Sequence, residues 1–159
     1  MTAYKILIVE DEGLIAVDIA NRVEALGHTV VASVGTAAEA IEQAEGADIV
    51  LMDIRLDGPA DGIDAATQIR ERFHLPVVFL TAHADRSTLE RAKMAEPYGY
   101  LVKPVASASL QTTIEIAIYK HHMERQLAEN EAWLRAAMSS RWSDRAGRGT
   151  CSPATRGRC

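Results

Sequence analysis

Residues that could perform chemistry follow four short apolar runs of the sequence. Glu10 and Asp11 follow "ILIV", Asp53 ends "DIVLMD", Thr81 follows "VVFL" and Lys103 ends "GYLVK". Clustered carboxylates repel one another, so a protein that gathers them usually neutralises them with a cation. Carboxylate oxygens suit Mg²⁺, and an aspartate can attack phosphorus to form an acyl phosphate. These residue types therefore predict a metal-assisted phosphoryl site, with the amine and the hydroxyl as donors to phosphoryl oxygens.

The elements that must position these side chains alternate along the chain. Near-continuous apolar runs predict five strands, at 4–10, 28–34, 48–53, 76–82 and 99–103. Helical periodicity predicts helices at 14–27, 36–46, 61–73 and 85–96, with Thr36 as an N-cap and Glu39 completing a capping box. Strands of this kind suit a parallel sheet covered on both faces. Ligands of such sheets bind beyond the carboxyl ends of the strands, where the candidate residues lie.

Length and composition restrict the class of protein. The chain has 159 residues, 48% of them apolar and 25% charged, which suits one soluble domain with a substantial core. A net charge of −5 gives no indication of nucleic-acid binding. No apolar run approaches the roughly 20 residues that span a bilayer, and the N-terminus lacks the pattern of a signal peptide. We therefore expect a cytoplasmic protein that does not contact membrane.

The last helix is unusually long, because neither proline nor glycine interrupts the sequence from Ser107 to Met138. Beyond residue 119 its apolar residues form a sparse heptad pattern, in which Asn130 would fix the register. One core position of the heptad holds Lys120, Leu127 and Leu134. The other holds Ile116, Met123, Asn130 and Ala137. We interpret residues 120–140 as a possible coiled-coil signalling helix. The alternative is a solvated extension.

The composition changes at residue 141. Residues 141–159 hold five Arg, one Asp and both cysteines, without periodicity, so we expect a disordered or non-native tail. Our hypothesis is that the chain is a truncated or frame-shifted piece of a longer sensor. A gene that continues into a sensor module in another frame would support this hypothesis, and an authentic stop without such a continuation would refute it.

The chain from about Tyr4 to Gln111 resembles the receiver domain of two-component response regulators. The resemblance rests on "ILIVEDE", "DIVLMDIRL", "DGIDAA", "LPVVFLTAHAD" and "GYLVKP", in the order and at the spacing of the family. It implies an α/β fold, with a flavodoxin-like, doubly wound, five-stranded parallel sheet of order 2-1-3-4-5. The predicted organisation is a receiver domain at 1–119 with an extended C-terminal helix, as the N-terminal part of a receiver–PAS or receiver–kinase protein.

The resemblance assigns the phosphoryl group and the metal to four residues. Asp53 corresponds to the phosphoacceptor. Asp11, Asp53 and the backbone carbonyl of Arg55 correspond to direct ligands of Mg²⁺, with Mn²⁺ as the alternative, and Glu10 to a ligand acting through water. In this sequence Glu10 replaces the more frequent aspartate, which lengthens the side chain by one methylene.

Four further residues correspond to the phosphate-binding and switch positions. Lys103 corresponds to the phosphate-binding lysine, Thr81 to the switch hydroxyl and Tyr100 to the switch aromatic. Ala82 is small and leaves the phosphoryl site open. The loop after Asp53, "IRLDGPADG", is about one residue longer than the common form, so we expect it to be shifted. Arg55 and His83 occupy positions at which the family tunes dephosphorylation.

The expected function is Mg²⁺-dependent acceptance of a phosphoryl group on Asp53 from a sensor histidine kinase or a phosphotransfer protein. We expect a homodimer through the fourth helix, the fifth strand and the last helix, with no enzymatic activity beyond assistance of its own phosphorylation and dephosphorylation. One alternative is a phosphate sink without output. The other is a flavodoxin-like cofactor-binding protein, which a yellow colour on purification would favour.

Overall fold

The computed structural model describes residues 2–56, 58, 61–82 and 86–147, which form alternating strands and helices. The strands are β1 (Lys5–Val9), β2 (Thr29–Val34), β3 (Ile49–Asp53), β4 (Val77–Thr81) and β5 (Gly99–Val102). The helices are α1 (Gly13–Ala25), α2 (Ala37–Gln43), α3 (Gly62–Phe73), α4 (Arg86–Met94) and α5 (Ser107–Gly147), with a 3₁₀ turn at Ala44–Gly46.

The five strands form one parallel sheet in the order β2-β1-β3-β4-β5. Alternate strand residues enter two separate cores. Leu7 and Val9 of β1 pack with residues of α2 and α3, whereas Ile6 and Ile8 pack with residues of α1 and α5. Since both faces are covered, β3 is buried at every position. The predicted flavodoxin-like, doubly wound fold is confirmed.

Burial of the strands fixes the register of the sheet. The side chains of Ile8, Leu51 and Leu80 are fully buried, and each stabilises the fold by about 1.5–3 kcal/mol on transfer from water. A one-residue slip of any strand would exchange its two faces. The strand ends, and the side chains that follow them, are therefore held in place by the core.

Helix termini agree with the sequence in part. The Thr36 side chain accepts a hydrogen bond from the backbone N–H of Glu39, as predicted for an N-cap. The helix that follows is shorter than predicted, because its last turn tightens into the 3₁₀ turn.

The last helix differs from the sequence prediction at its C-terminal end. It continues to Gly147, whereas the sequence predicted an ordered helix only to residue 140. Residues 141–147 contain no proline, and the arginines and alanine among them have favourable helix propensities. The rest of the predicted tail, residues 148–159, lies outside the described residues, as does His83.

The described residues fall into two compact units that divide between His121 and His122. The predicted end of the receiver domain at residue 119 stays a prediction, whereas the helix continues beyond the predicted boundary at residue 140. In the part of the chain that the structure describes, no helix is long and apolar enough to cross a membrane.

Candidate functional site

Three carboxylates lie together at the carboxyl end of the sheet. Glu10 and Asp11 directly follow β1, and Asp53 is the last residue of β3, the strand next to β1. One carboxylate oxygen of each residue lies within 4.8 Å of the others. The adjacent strands thus bring Asp53 together with two acids that precede it by 43 and 42 residues in the sequence.

Lys103 joins two of these carboxylates. Its Nζ lies 2.8 Å from Oδ2 of Asp53 and 2.5 Å from Oε2 of Glu10. The side chains are largely buried, with 12% of Lys103, 9% of Asp53 and none of Glu10 exposed. Oε2 of Glu10 has no hydrogen bond of good geometry among the described residues, but its distance from the ammonium is that of a close ion pair. Two buried anions therefore share one cation.

Burial and shared charge shift the pKa values at this cluster. Burial raises the pKa of Glu10 from 4.5 to about 7, the ammonium of Lys103 opposes this rise, and Asp53 adds to it. Burial acts to lower the pKa of Lys103, but its bonds to Asp53 and Glu10 outweigh burial and raise that pKa. Because the raised pKa leaves Glu10 only partly ionised near neutral pH, a bound cation would favour its full ionisation.

An open cleft of about 240 Å³ gives access to the cluster from solvent. Its lining includes Asp11, Asp53, Thr81, Ala82 and Lys103. Ala82 thus lies at the cleft, and its role in keeping the phosphoryl site open stays a prediction. We call this space the strand-end cleft.

The two carboxylate oxygens of Asp53 have different partners. Oδ2 accepts a hydrogen bond from Nζ of Lys103, and Oδ1 accepts one from the backbone N–H of Arg55 at 3.0 Å. Arg55 also lines the strand-end cleft, whereas its backbone carbonyl as a metal ligand stays a prediction. The peptide bond between Lys103 and Pro104 is cis.

Tyr100 lies apart from the cleft. It is on β5 opposite Phe79 of β4, with ring centroids 6.1 Å apart, and 36% of the residue is exposed. Partial burial raises the pKa of its hydroxyl. The ring is thus partly exposed beside Phe79, where a shift of β4 would change its burial.

Sequence reasoning missed two contributions to this region. Thr88 of α4 lines the strand-end cleft, although its position in a polar helix gave no signal. Gly62, the first residue of α3, is so close to β3 that an added Cβ would overlap the carbonyl oxygen of Asp53. The "DG" that opens the predicted third helix was the available signal.

The donor set fits a hard divalent cation. Mg²⁺ prefers oxygen ligands and is commonly held by one or two carboxylates together with water and phosphoryl oxygens. Asp11 and Asp53 offer such oxygens at the cleft, and the enclosed carboxylate of Glu10 can act through an intervening water. The three carboxylates among the predicted metal ligands therefore lie where they could hold Mg²⁺ or Mn²⁺ together.

Comparison with known proteins gives consistent matches. Residues 6–115 match the response regulator receiver domain model. The chain is 40% identical over 116 residues to the transcriptional regulatory protein PdtaR of Mycobacterium tuberculosis, which covers 72% of this chain and 56% of PdtaR. It is 34% identical over 134 residues to the phyllosphere-induced regulator PhyR of Methylorubrum extorquens, which covers 82% of this chain and 49% of PhyR.

A solved structure gives a similar result. The signal receiver domain of a modulated diguanylate cyclase from Desulfovibrio desulfuricans G20 is 37% identical, with a TM-score of 0.73, over 77% of this chain and 99% of that domain. The chain spans about half the length of the curated relatives it matches. The match over residues 6–115, together with the fold, shows that the chain belongs to the response regulator receiver domain family.

Proposed function

We propose that this chain accepts a phosphoryl group on Asp53 from a partner histidine kinase or phosphotransfer protein. The observation that carries the proposal is Nζ of Lys103, which contacts both Asp53 and the buried Glu10 beside an open cleft that Asp11 also lines. This arrangement provides a nucleophile, a cation and a set of metal ligands at one place.

The chemistry at Asp53 is a displacement at phosphorus. A carboxylate oxygen of Asp53 forms a bond to phosphorus, while the bond from phosphorus to the donor's imidazole nitrogen breaks and leaves its electron pair on nitrogen. The ammonium of Lys103 stabilises negative charge on the phosphoryl oxygens, and the hydroxyl of Thr81 donates a hydrogen bond to one of them. When bound, Mg²⁺ would neutralise further charge on the transferring group.

The surface of α1 beside the strand-end cleft offers a place for the phosphodonor. Leu14 and Val17 of α1 are 90% and 59% exposed. A hollow of about 550 Å³ lies between α1 and Pro104 and Val105, and Lys103 lines both this hollow and the strand-end cleft. A helix that carries the phosphorylated histidine could bury these apolar side chains and present its imidazole at the cleft.

Phosphorylation is proposed to act on a second face, formed by α4, β5 and the first part of α5. The added group carries about −1.5 to −2 charges, which Thr81 and Lys103 would meet. Tyr100 would then change its burial. Met94, Val102 and Ile116 expose apolar side chains on these elements, which suits a homodimer contact.

The later part of α5 supplies a separate reason to propose a dimer. Met123, Leu127 and Leu134, which occupy predicted heptad core positions, are 44%, 62% and 52% exposed. A second copy of the helix would bury them as a short coiled coil. We also propose that the protein is cytoplasmic and that it transmits its signal by binding other proteins.

Intact mass after incubation with a small-molecule phosphodonor tests the phosphoacceptor role. With Mg²⁺ the wild type should gain the mass of one phosphoryl group, and without Mg²⁺ it should gain little. Asp53→Asn should gain none, because an amide is a poor nucleophile. Asp64→Asn, an exposed change in the first turn of α3, is the matched control and should react like the wild type. A wild type that never gains this mass would contradict the proposal.

Light scattering of the same samples tests the output. A rise in molar mass on phosphorylation of the wild type, absent in Asp53→Asn, would support a phosphorylation-controlled dimer. A phosphorylated protein that stays monomeric would favour the phosphate sink, whereas a mass that is dimeric in both states would make the long helix a constitutive dimer contact.

A further inference from the structure

The first residue of α3 contacts the backbone at the end of β3, the strand that carries Asp53. Gly62 donates its backbone N–H to the carbonyl oxygen of Ile54 at 3.1 Å. A Cβ at Gly62 would overlap the carbonyl oxygen of Asp53 and lie 2.9 Å from its carbonyl carbon. The start of α3 therefore rests directly on the backbone of the phosphoacceptor, and it can do so only because residue 62 has no side chain.

The preceding residue joins this contact to α4. Oδ1 of Asp61 accepts a hydrogen bond from the backbone N–H of Asp64 at 3.0 Å and so caps α3. Oδ2 of the same carboxylate lies 2.7 Å from Nη2 of Arg91 on α4. One carboxylate thus ties two helices, and one of these helices begins against the backbone of Asp53.

The charge state of Asp61 suits this role. Burial acts to raise the pKa of Asp61, but the N–H of Asp64 and the guanidinium of Arg91 outweigh burial and hold that pKa below its ordinary value. The contact with Asp61 also raises the pKa of Arg91. Both partners are therefore charged throughout the pH range in which the protein would work.

The side of α4 that carries Arg91 also faces the strand-end cleft. Thr88 lines the cleft, and Arg91 follows three residues later, so the two side chains lie on neighbouring turns of one helix face. A movement of α4 toward or away from the cleft would change the distance from Arg91 to Asp61. A displacement of the Asp53 backbone would reach the same ion pair through Gly62.

We infer that Asp61 and Gly62 are positioning residues that couple the backbone of Asp53 to α4 through Arg91, by a route separate from Thr81 and Tyr100. The inference rests on the proposed phosphorylation of Asp53, because that event would supply the displacement. The contact is exposed, with 29% of the Asp61 side chain and 58% of the Arg91 side chain accessible, so it can form and break without unfolding the domain.

Amide hydrogen exchange across residues 86–94, before and after phosphorylation, tests this coupling. In the wild type, phosphorylation should change the exchange of α4. In Asp61→Asn, which keeps the capping oxygen, and in Arg91→Gln, the domain should phosphorylate as in the wild type by intact mass, but the response of α4 should fall about twofold or more. Arg91→Lys keeps the positive charge and should restore most of the response.

The double variant and a matched control separate coupling from general damage. If one ion pair transmits the effect, Asp61→Asn combined with Arg91→Gln should lose no more than either single change. Arg70→Gln removes a comparable exposed ion pair, with Glu96, at the far end of α3, and it should leave the response of α4 intact.

Three results with the variants would overturn the inference. They are a full response of α4 in both single variants, losses that add in the double variant, and an equal loss in Arg70→Gln. A wild type that phosphorylates but whose α4 does not respond would also overturn it, while leaving the proposed function in place. A wild type that acquires no phosphoryl group would refute the proposed function itself.

Discussion

Replacement of Lys103 by methionine should destabilise the protein in a strongly pH-dependent manner. The change removes the ammonium but keeps an unbranched side chain of similar length. It leaves two carboxylates, of Glu10 and Asp53, with 0% and 9% of their side chains exposed and oxygens within 4.8 Å of one another. At that separation two unit charges repel by roughly 3 kcal/mol for an effective dielectric constant of about 20.

The pH dependence follows from the protonation of Glu10. The folded-state pKa of this acid is already raised, from 4.5 to about 7, so its ionisation costs stability as the pH rises from 4.5 through 7. Without Lys103, which lowers that pKa, the folded-state value rises further and the cost grows. We expect a loss of about 3 kcal/mol near pH 8, and of about 1–2 kcal/mol near pH 5, where a proton relieves the repulsion.

Urea unfolding without Mg²⁺, at both pH values, measures this difference. Lys93→Met, which removes an exposed lysine of α4, is the matched control and should change the free energy of unfolding by less than about 0.5 kcal/mol. An equal loss for Lys103→Met at the two pH values would refute the electrostatic argument. A loss no larger than that of the control would show that the buried ion pairs contribute little.

Three further predictions address the neighbouring residues. Gly62→Ala should cost about 1–3 kcal/mol in urea unfolding and slow phosphorylation, because its Cβ displaces Asp53, whereas Gly13→Ala, with open space around the new Cβ, should do neither. Glu10→Gln should flatten the fall in stability, of up to about 3 kcal/mol, that the metal-free wild type shows between about pH 4.5 and 7, and an unchanged slope would contradict the raised pKa. Mg²⁺ should raise the calorimetric Tm of the wild type, and Asp11→Asn should lose most of that rise; an equal rise in both would exclude Asp11 as a ligand.

The sequence predicted the sheet well because its signals are local. The runs at β1, β3 and β4 are continuous stretches of apolar residues, which only a sheet covered on both faces can bury. The order of the strands came from the family resemblance. Once that order holds, Glu10, Asp11 and Asp53 must meet, because they follow adjacent strands at the same edge.

Contacts between distant elements could not be predicted in the same way. Asp61 and Arg91 are 30 residues apart, and both are residue types that are common on the exposed surface of helices. The family resemblance assigned a phosphate-binding role to Lys103. It did not show that Lys103 also pairs with Glu10, since that contact depends on how deeply the end of β1 is buried. The C-terminal end of α5 was predicted too early because a change in composition does not stop a helix that lacks proline.

The position of the phosphoryl group decides whether Asp53 is the phosphoacceptor. Reductive trapping of the acyl phosphate, followed by peptide mass spectrometry, identifies the modified carboxylate after reaction with a phosphodonor and Mg²⁺. Our account predicts that the modification lies on Asp53 and disappears in Asp53→Asn. A modification on Asp11 or on another residue, with Asp53 unmodified, would contradict it.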